Sequence, residues 1–180
     1  MADIDVGYAG TGSGYTSTNT YLDLNNPAND SGIIDTLVLY LERRPKQYVV
    51  GMMALRSGTT YYARDFANLG TLGIGKITIT GLSVDVVAND NIAMWHSGGA
   101  GGGLNFKTYG VTGLRYPTTG GAGLDSISDQ GDYDFNNLLS GYAICAYATG
   151  ETVAAGGGAL VGGSALVGGQ ILCGNSPLIN

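Results

Sequence analysis

The chain has little charge and little of the chemistry that catalysis draws on. Lys, Arg, Asp and Glu make up 12 % of its 180 residues, about half the usual share. There is one histidine, His96, and there are two cysteines, Cys145 and Cys173. Two cysteines cannot form a disulfide framework, and these two lack metal-ligand spacing; Cys145, in the apolar run AICAYA, reads as a small core residue. One histidine excludes a multi-histidine metal site, and no G-x-S-x-G elbow accompanies His96 to suggest a nucleophile. The only Glu residues are Glu42 and Glu151, neither in a setting that pairs carboxylates across a cleft as glycosidases require. The Gly-rich run GGAGGGLNF (98–106) has no Lys-Ser/Thr after it and so is not a phosphate loop. No cofactor motif is present, and an enzyme is not expected.

Basic surface is scarce as well. The net charge is −6, and the densest cationic run is Arg43-Arg44-Pro45-Lys46. Nucleic acid demands a basic face that neutralises phosphates, so none is expected as a partner. The amino terminus, MADIDVGYAGTGSGY, carries acidic residues where a signal peptide needs a positive region followed by an apolar one. Synthesis in a cytoplasm without a cleaved leader is the expectation.

What the chain has in quantity is glycine, 32 residues, and tyrosine, 12 against three Phe and one Trp. Apolar residues stand at 44 %, so the chain lacks the few-hydrophobe, high-charge composition of disorder. Between residues 20 and 149, short β-branched or aromatic runs alternate with turn pairs such as Asn25-Asn26-Pro27, Ser57-Gly58 and Ala88-Asn89-Asp90. Strands are predicted over 20–24, 32–42, 47–56, 60–69, 76–84, 91–96, 104–108, 113–116 and 142–149. In IIDTLVLYLE both alternating sets are mostly apolar, which predicts a central strand covered on both faces. KITITGLSV is two-faced, with Ile77 and Ile79 opposite Lys76, Thr78 and Thr80. The span 134–140 is the one place that suggests a short helical turn. Many short strands at this spacing predict an all-β fold, an antiparallel jelly-roll-like β-sandwich over 1–150.

Several motifs resemble those of jelly-roll structural domains in bacteriophage and environmental-virus virion proteins. They are IDVG (4–7), YLDLNNPANDSGIIDTLVLYLE (21–42), YARD (62–65), GLSVDVVANDNIAMW (81–95) and YATG (147–150), which together span most of residues 4–150. The resemblance implies a structural role in a virion, as a capsid decoration, tail or fibre component. Other virion proteins are then expected as partners, and an extracellular filament is the alternative setting.

Past residue 150 the chain departs from that pattern. Residues 151–180 form a Gly-rich repetitive segment whose core divides into GGGALV, GGSALV, GGQILC and GNSPLI, opening at Gly156, Gly162, Gly168 and Gly174. A transmembrane helix fits poorly: seven of the 21 residues from 153 to 173 are Gly, and six residues turn a helix by about 600°, scattering the doublets around it. No membrane is expected. A β-strand would sort Leu160, Leu166, Leu172 and Leu178 onto one face and Val161, Val167, Cys173 and Ile179 onto the other. A left-handed β-helix or a polyglycine-II-like strand also accommodates the period. Each of these must bury its aliphatic side chains and satisfy its backbone, and glycine favours close approach of another chain. Self-association into a trimer or higher homo-oligomer is therefore expected through Leu160, Val161, Leu166, Val167, Ile171, Leu172, Leu178 and Ile179. The alternative is a tail that packs back on its own sandwich.

Two binding readings remain. Tyr61, Tyr62, Trp95, Tyr109 and Tyr116 would suit a stacking platform for a glycan, although strand aromatics also serve as packing. DSISDQGDYD gathers Asp125, Asp129, Asp132 and Asp134, but it lacks EF-hand spacing and the bidentate Glu. A solvated acidic loop is the expectation, so addition of a chelator should leave the melting temperature unchanged; a downward shift would reveal a structural ion.

Overall fold

The computed structural model describes residues 3–12, 19–42, 47–97, 106–108, 113–117, 127, 131–153, 166–167 and 170–171. Among them the regular structure is entirely β: β1 (Asp3–Gly7), β2 (Thr20–Asp23), β3 (Gly32–Leu41), β4 (Tyr48–Ser57), β5 (Thr60–Gly70), β6 (Gly75–Val86), β7 (Asn91–His96), β8 (Phe106–Thr108), β9 (Leu114–Tyr116), β10 (Asp132–Asp134), β11 (Asn137–Leu139), β12 (Tyr142–Ile144), β13 (Ala146–Thr152), β14 (Leu166–Val167) and β15 (Gln170–Ile171). Seven of the nine predicted strands correspond one to one with observed ones. Of the span predicted at 104–108, residues 106–108 are described and form β8, and the span at 142–149 divides at Cys145 into β12 and β13.

Two antiparallel sheets make the body, a β-sandwich-like arrangement. The first has the order β1-β13-β3-β6, and the second β10-β5-β4-β7-β2-β9-β11. From β1 to β7 the chain changes sheet at every connection except the β4–β5 hairpin. It then makes an excursion over 97–145 before returning to the first sheet as β13. Ile4 and Val6 of β1, Leu37 and Leu39 of β3, and Val84 and Val86 of β6 meet Tyr48, Val50 and Met52 of β4 and Ile92 and Met94 of β7 in one inner cluster.

The central strand β3 lies between β13 and β6, as its apolar content predicts. The prediction that it is covered on both faces is corrected: Ile34, Leu37, Leu39 and Leu41 are buried, while Ile33, Thr36, Val38 and Tyr40 are only partly so. A β-bulge explains the mixed pattern. Ile34 pairs with Gly150 and Thr36 with Thr149, which leaves Asp35 as the extra residue, and the side-chain phase slips by one there. KITITGLSV is two-faced as predicted, with Ile77 and Ile79 packed toward the core and Lys76, Thr78 and Thr80 exposed.

The doubly covered element is instead the second sheet. All six residues of β7 are buried, as are the first seven of β4. Their outward side chains, Val49, Met53, Ala93 and Trp95, form a second cluster with Leu22, Tyr61 and Ala63. The excursion covers it with Ile127, Tyr133 and Phe135. Phe135 meets the Tyr61 ring edge-on, with centroids 5.8 Å apart and planes at 87°. Ile127 seats over Gly51: a Cβ there would lie 2.5 Å from its Cγ2, so only glycine admits the contact. The short helical turn suggested over 134–140 is not formed. Asp132–Asp134 pairs with β5 and Asn137–Leu139 with β9, because an available sheet edge satisfies more backbone groups than one turn of helix does.

Phe135 is fully buried, so Phe135→Ala should cost about 3–5 kcal/mol of unfolding free energy, measured by urea denaturation. A loss near zero would mean that the outer cluster contributes little to the fold.

Candidate functional site

The five motif pieces meet at one end of the sandwich. Asn26 donates from Nδ2 to Oδ1 of Asp5 (2.9 Å), and Asn29 Oδ1 accepts the Asp5 amide (2.9 Å). The Gly7 amide donates to the Asn26 carbonyl (2.8 Å). The Ala28 amide donates to the Asp90 carbonyl and the Asn89 amide to the Ala28 carbonyl, each at 2.8 Å. Asp90, almost fully buried, accepts from Arg64 Nε at 2.5 Å and Nη2 at 3.1 Å, and from the Val87 amide at 2.9 Å. Asp65 accepts the Asp85 amide at 2.8 Å. Tyr147 to Gly150 lie alongside β1. Asx turn chemistry explains why Asn and Asp recur here: short side chains cap backbone groups that the turns leave unpaired. These polar residues hold loops together and present no nucleophile beside a base.

The same end is where β13 leaves the body. Gly32 of β3 pairs with Thr152 on one side and Val86 on the other. The next residues, Val153 and Val87, are 65 % and 40 % exposed. Next to this exit Asp3, Asp5, Asp35, Tyr147, Thr149 and Glu151 line a hollow of about 430 Å³. Burial, and then the carboxylates of Asp5 and Asp3, push the Tyr147 phenol up from its ordinary value. Among the described residues no group of three or more His, Cys, Asp or Glu side chains is arranged to hold a metal ion.

The four proposed stacking residues that are described, Tyr61, Tyr62, Trp95 and Tyr116, do not share a surface. Tyr61 and Trp95 are 6 % and 8 % exposed, inside the outer cluster. Tyr62, the next residue on β5, is partly exposed, with the Arg56 guanidinium 4.6 Å and that of Arg64 5.5 Å from its ring centroid. Tyr116 packs against the inner cluster, with its ring 6.1 Å from that of Tyr21. Tyr109 lies outside the described residues. His96 is buried at the end of β7, with its ring 6.0 Å from that of Tyr48. In the acidic loop, Asp132 pairs with Arg56 (2.6 Å) and Asp134 accepts from the Thr59 hydroxyl (2.5 Å); Asp125 and Asp129 lie outside the described residues.

Of the predicted self-association residues, Leu166, Val167 and Ile171 are described at the level of the backbone. Leu166 pairs antiparallel with Ile171 and Val167 with Gln170. Leu160, Val161, Leu172, Leu178 and Ile179 lie outside the described residues.

The sequence reading missed a second polar knot. Asp23, at the end of β2, is 1 % exposed. Its Oδ1 accepts from the Asn25 amide (2.8 Å) and Nδ2 (2.5 Å), and its Oδ2 from the Ile144 amide (2.9 Å). Asn25 in turn holds both polar groups of Gly113 and the Tyr142 carbonyl. Burial pushes the Asp23 carboxyl up to about 6, against the pull of its three N–H donors. An Asp followed two residues later by Asn at a strand end is the local signal, but its partners lie some ninety to 120 residues away.

Compared with protein-family models, curated proteins and solved structures, the chain matches none.

Removing Arg64 leaves the Asp90 carboxylate buried without its cation. Because a quarter of the Arg64 side chain is exposed, Arg64→Ala should cost about 2–3 kcal/mol, below the 3–5 typical of fully buried pairs. Chemical denaturation reads this directly, and a loss under about 0.5 kcal/mol would assign the pair to the weak surface class.

Proposed function

We propose that this chain is a structural, self-associating subunit whose body is a jelly-roll β-sandwich and whose C-terminal segment joins it to other copies. The strand order supports the jelly roll. Eight strands divide as 1-13-3-6 and 2-7-4-5, all antiparallel, with one same-sheet hairpin. Such an order accords with the double Greek-key winding of a jelly roll. The setting that best accords with the motif resemblance is a virion, as a decoration, tail or fibre component; an extracellular filament would use the same physics.

One observation carries the assembly role. The body's last strand, β13, is already paired on both sides, with β1 and β3. Yet from Thr152 to Asn180 no charged residue follows. Some ten aliphatic side chains in that segment gain roughly 1.5–3 kcal/mol each on burial. Ordering so many glycines takes back a good part of this. A sister molecule supplies both the apolar cover and the backbone partners that the segment needs.

The glycan reading has less support, because its rings are divided among an inner cluster, an outer cluster and an arginine-flanked surface position. The polar corner accords with a structural role too, since its hydrogen-bonding groups are spent on neighbouring loops.

Sedimentation of the full-length chain beside one ending at Val153 tests the proposal. The full-length protein should form oligomers, while the shortened one should be monomeric with a melting temperature essentially unchanged. A full-length protein that stays monomeric at high concentration overturns the assembly role.

A further inference from the structure

We propose that the outer edge of β6, from Lys76 to Thr80, is the strand on which the C-terminal segment of a sister copy docks. This rests on the assembly role and names the surface that receives the segment. Among the described residues β6 is the outermost strand of the first sheet, paired with β3. The direction of its backbone groups is fixed at two points. Tyr40, directly opposite Lys76, donates its amide to the Cys145 carbonyl on the β13 side (3.1 Å). Opposite residues of an antiparallel pair exchange both hydrogen bonds or neither, so Lys76 turns its amide and carbonyl away from β3. The two-residue period extends this to Thr78 and Thr80. Further along, the Asp85 amide is taken by the Asp65 carboxylate of β5 (2.8 Å). The edge is thus stoppered at Asp85, while Lys76, Thr78 and Thr80 are all exposed. Gly75 and Gly81 flank this stretch, and a Cβ on either would meet nothing within 4 Å.

Sheet edges are commonly guarded by charge. The cation on this one, Lys76, leans back over β3, with Nζ 5.9 Å from the Tyr40 ring centroid. The opposite edge of the sheet, β1, is five residues long and carries Asp3 and Asp5. The inward row of β6 is also incompletely covered. Ile77, Ile79 and Leu82 pack against the inner cluster yet stay partly exposed, and Ile74, just before the strand, is 59 % exposed. A strand added at this edge pairs the outward amides and carbonyls and lays alternate side chains on that row, which is peptide capture by β-augmentation.

The occupant that fits is extended, uncharged and aliphatic. Residues 154–167, up to the Val167–Gln170 pair, have no charged side chain. Extended, they put Leu160 and Leu166 on one face and Val161 and Val167 on the other, and either set suits the isoleucine row. Their glycines permit close backbone approach. The chain's own tail is less well placed. Thr152, Gly32 and Val86 share a row, so the tail leaves its body beside the end of β6 that Asp65 closes. A sister's tail approaches the open end directly.

Amide exchange on the full chain, read residue by residue below and above the concentration at which it associates, tests the site. On association the Lys76, Thr78 and Thr80 amides should slow by about tenfold or more, while Asp85, already bonded to Asp65, stays unchanged. A benzophenone side chain placed at position 78 should cross-link to residues 154–167 of the sister chain. Thr78→Pro, which removes an edge-facing amide, should weaken association by about tenfold or more with the melting temperature nearly unchanged; the exchange pattern decides the matter even if that variant does not fold. Association without slowing at the three amides overturns the docking site and leaves the assembly role standing. Protection that ignores concentration, with cross-links inside one chain, puts the tail on its own body and overturns it as well. So do cross-links to the sister's β6. A chain that never associates ends the assembly role, and this site with it.

Discussion

Everything in this molecule is arranged around one sheet that is apolar on both faces. Strands β4 and β7 have buried residues in unbroken succession, so the second sheet cannot lie against water on either side. The first sheet covers one face, with its own outward side left polar by Asp5, Thr149, Thr78 and Lys76. The excursion between β7 and β13 covers the other. Each cover is light by itself, and the hydrophobic term that holds both is drawn from the same central strands.

Polar chemistry enters where these layers must be tied at their ends. Turns between strands of different sheets leave amides and carbonyls without ladder partners, and burying them unpaired is costly. Asp5, Asn26, Asn29, Arg64 and Asp90 meet this need at one end, and Asp23 with Asn25 meets it for the excursion. The low charge of the chain is consistent with this use, because several of its few ionic groups serve as fasteners.

Much of the body was legible in the sequence. The strand at 91–96 is observed with those bounds, since its apolar run ends sharply at Asp90 and Gly98. The two-faced pattern of KITITGLSV also persisted from Lys76 to Thr80, because an edge strand with one solvated side alternates; past the register shift opposite Asp35 the core-facing set moves to Leu82, Val84 and Val86. What could not be read depends on contacts distant in sequence. The bulge at Asp35 reversed the phase of β3, and nothing local in IIDTLVLYLE marks it. Asp132–Asp134 and Asn137–Leu139 became strands because β5 and β9 offered edges, which a local helical signal cannot foresee. The aromatic residues were recognised as a group yet belong to separate clusters: Tyr61 and Tyr62, being neighbours on a strand, face opposite ways. Leu166 pairs with Ile171 and Val167 with Gln170, whereas the hexad period alone admits a straight strand equally well.

The most direct test of a sheet that needs two covers is to replace residues 118–141 with a short Gly-Ser linker and follow the stability and association of the product. The account predicts that the β4 and β7 face, bared at Val49, Met53 and Trp95, makes the protein markedly less stable and prone to aggregate. A replacement that stays folded, monomeric and as resistant to urea as the parent would contradict it.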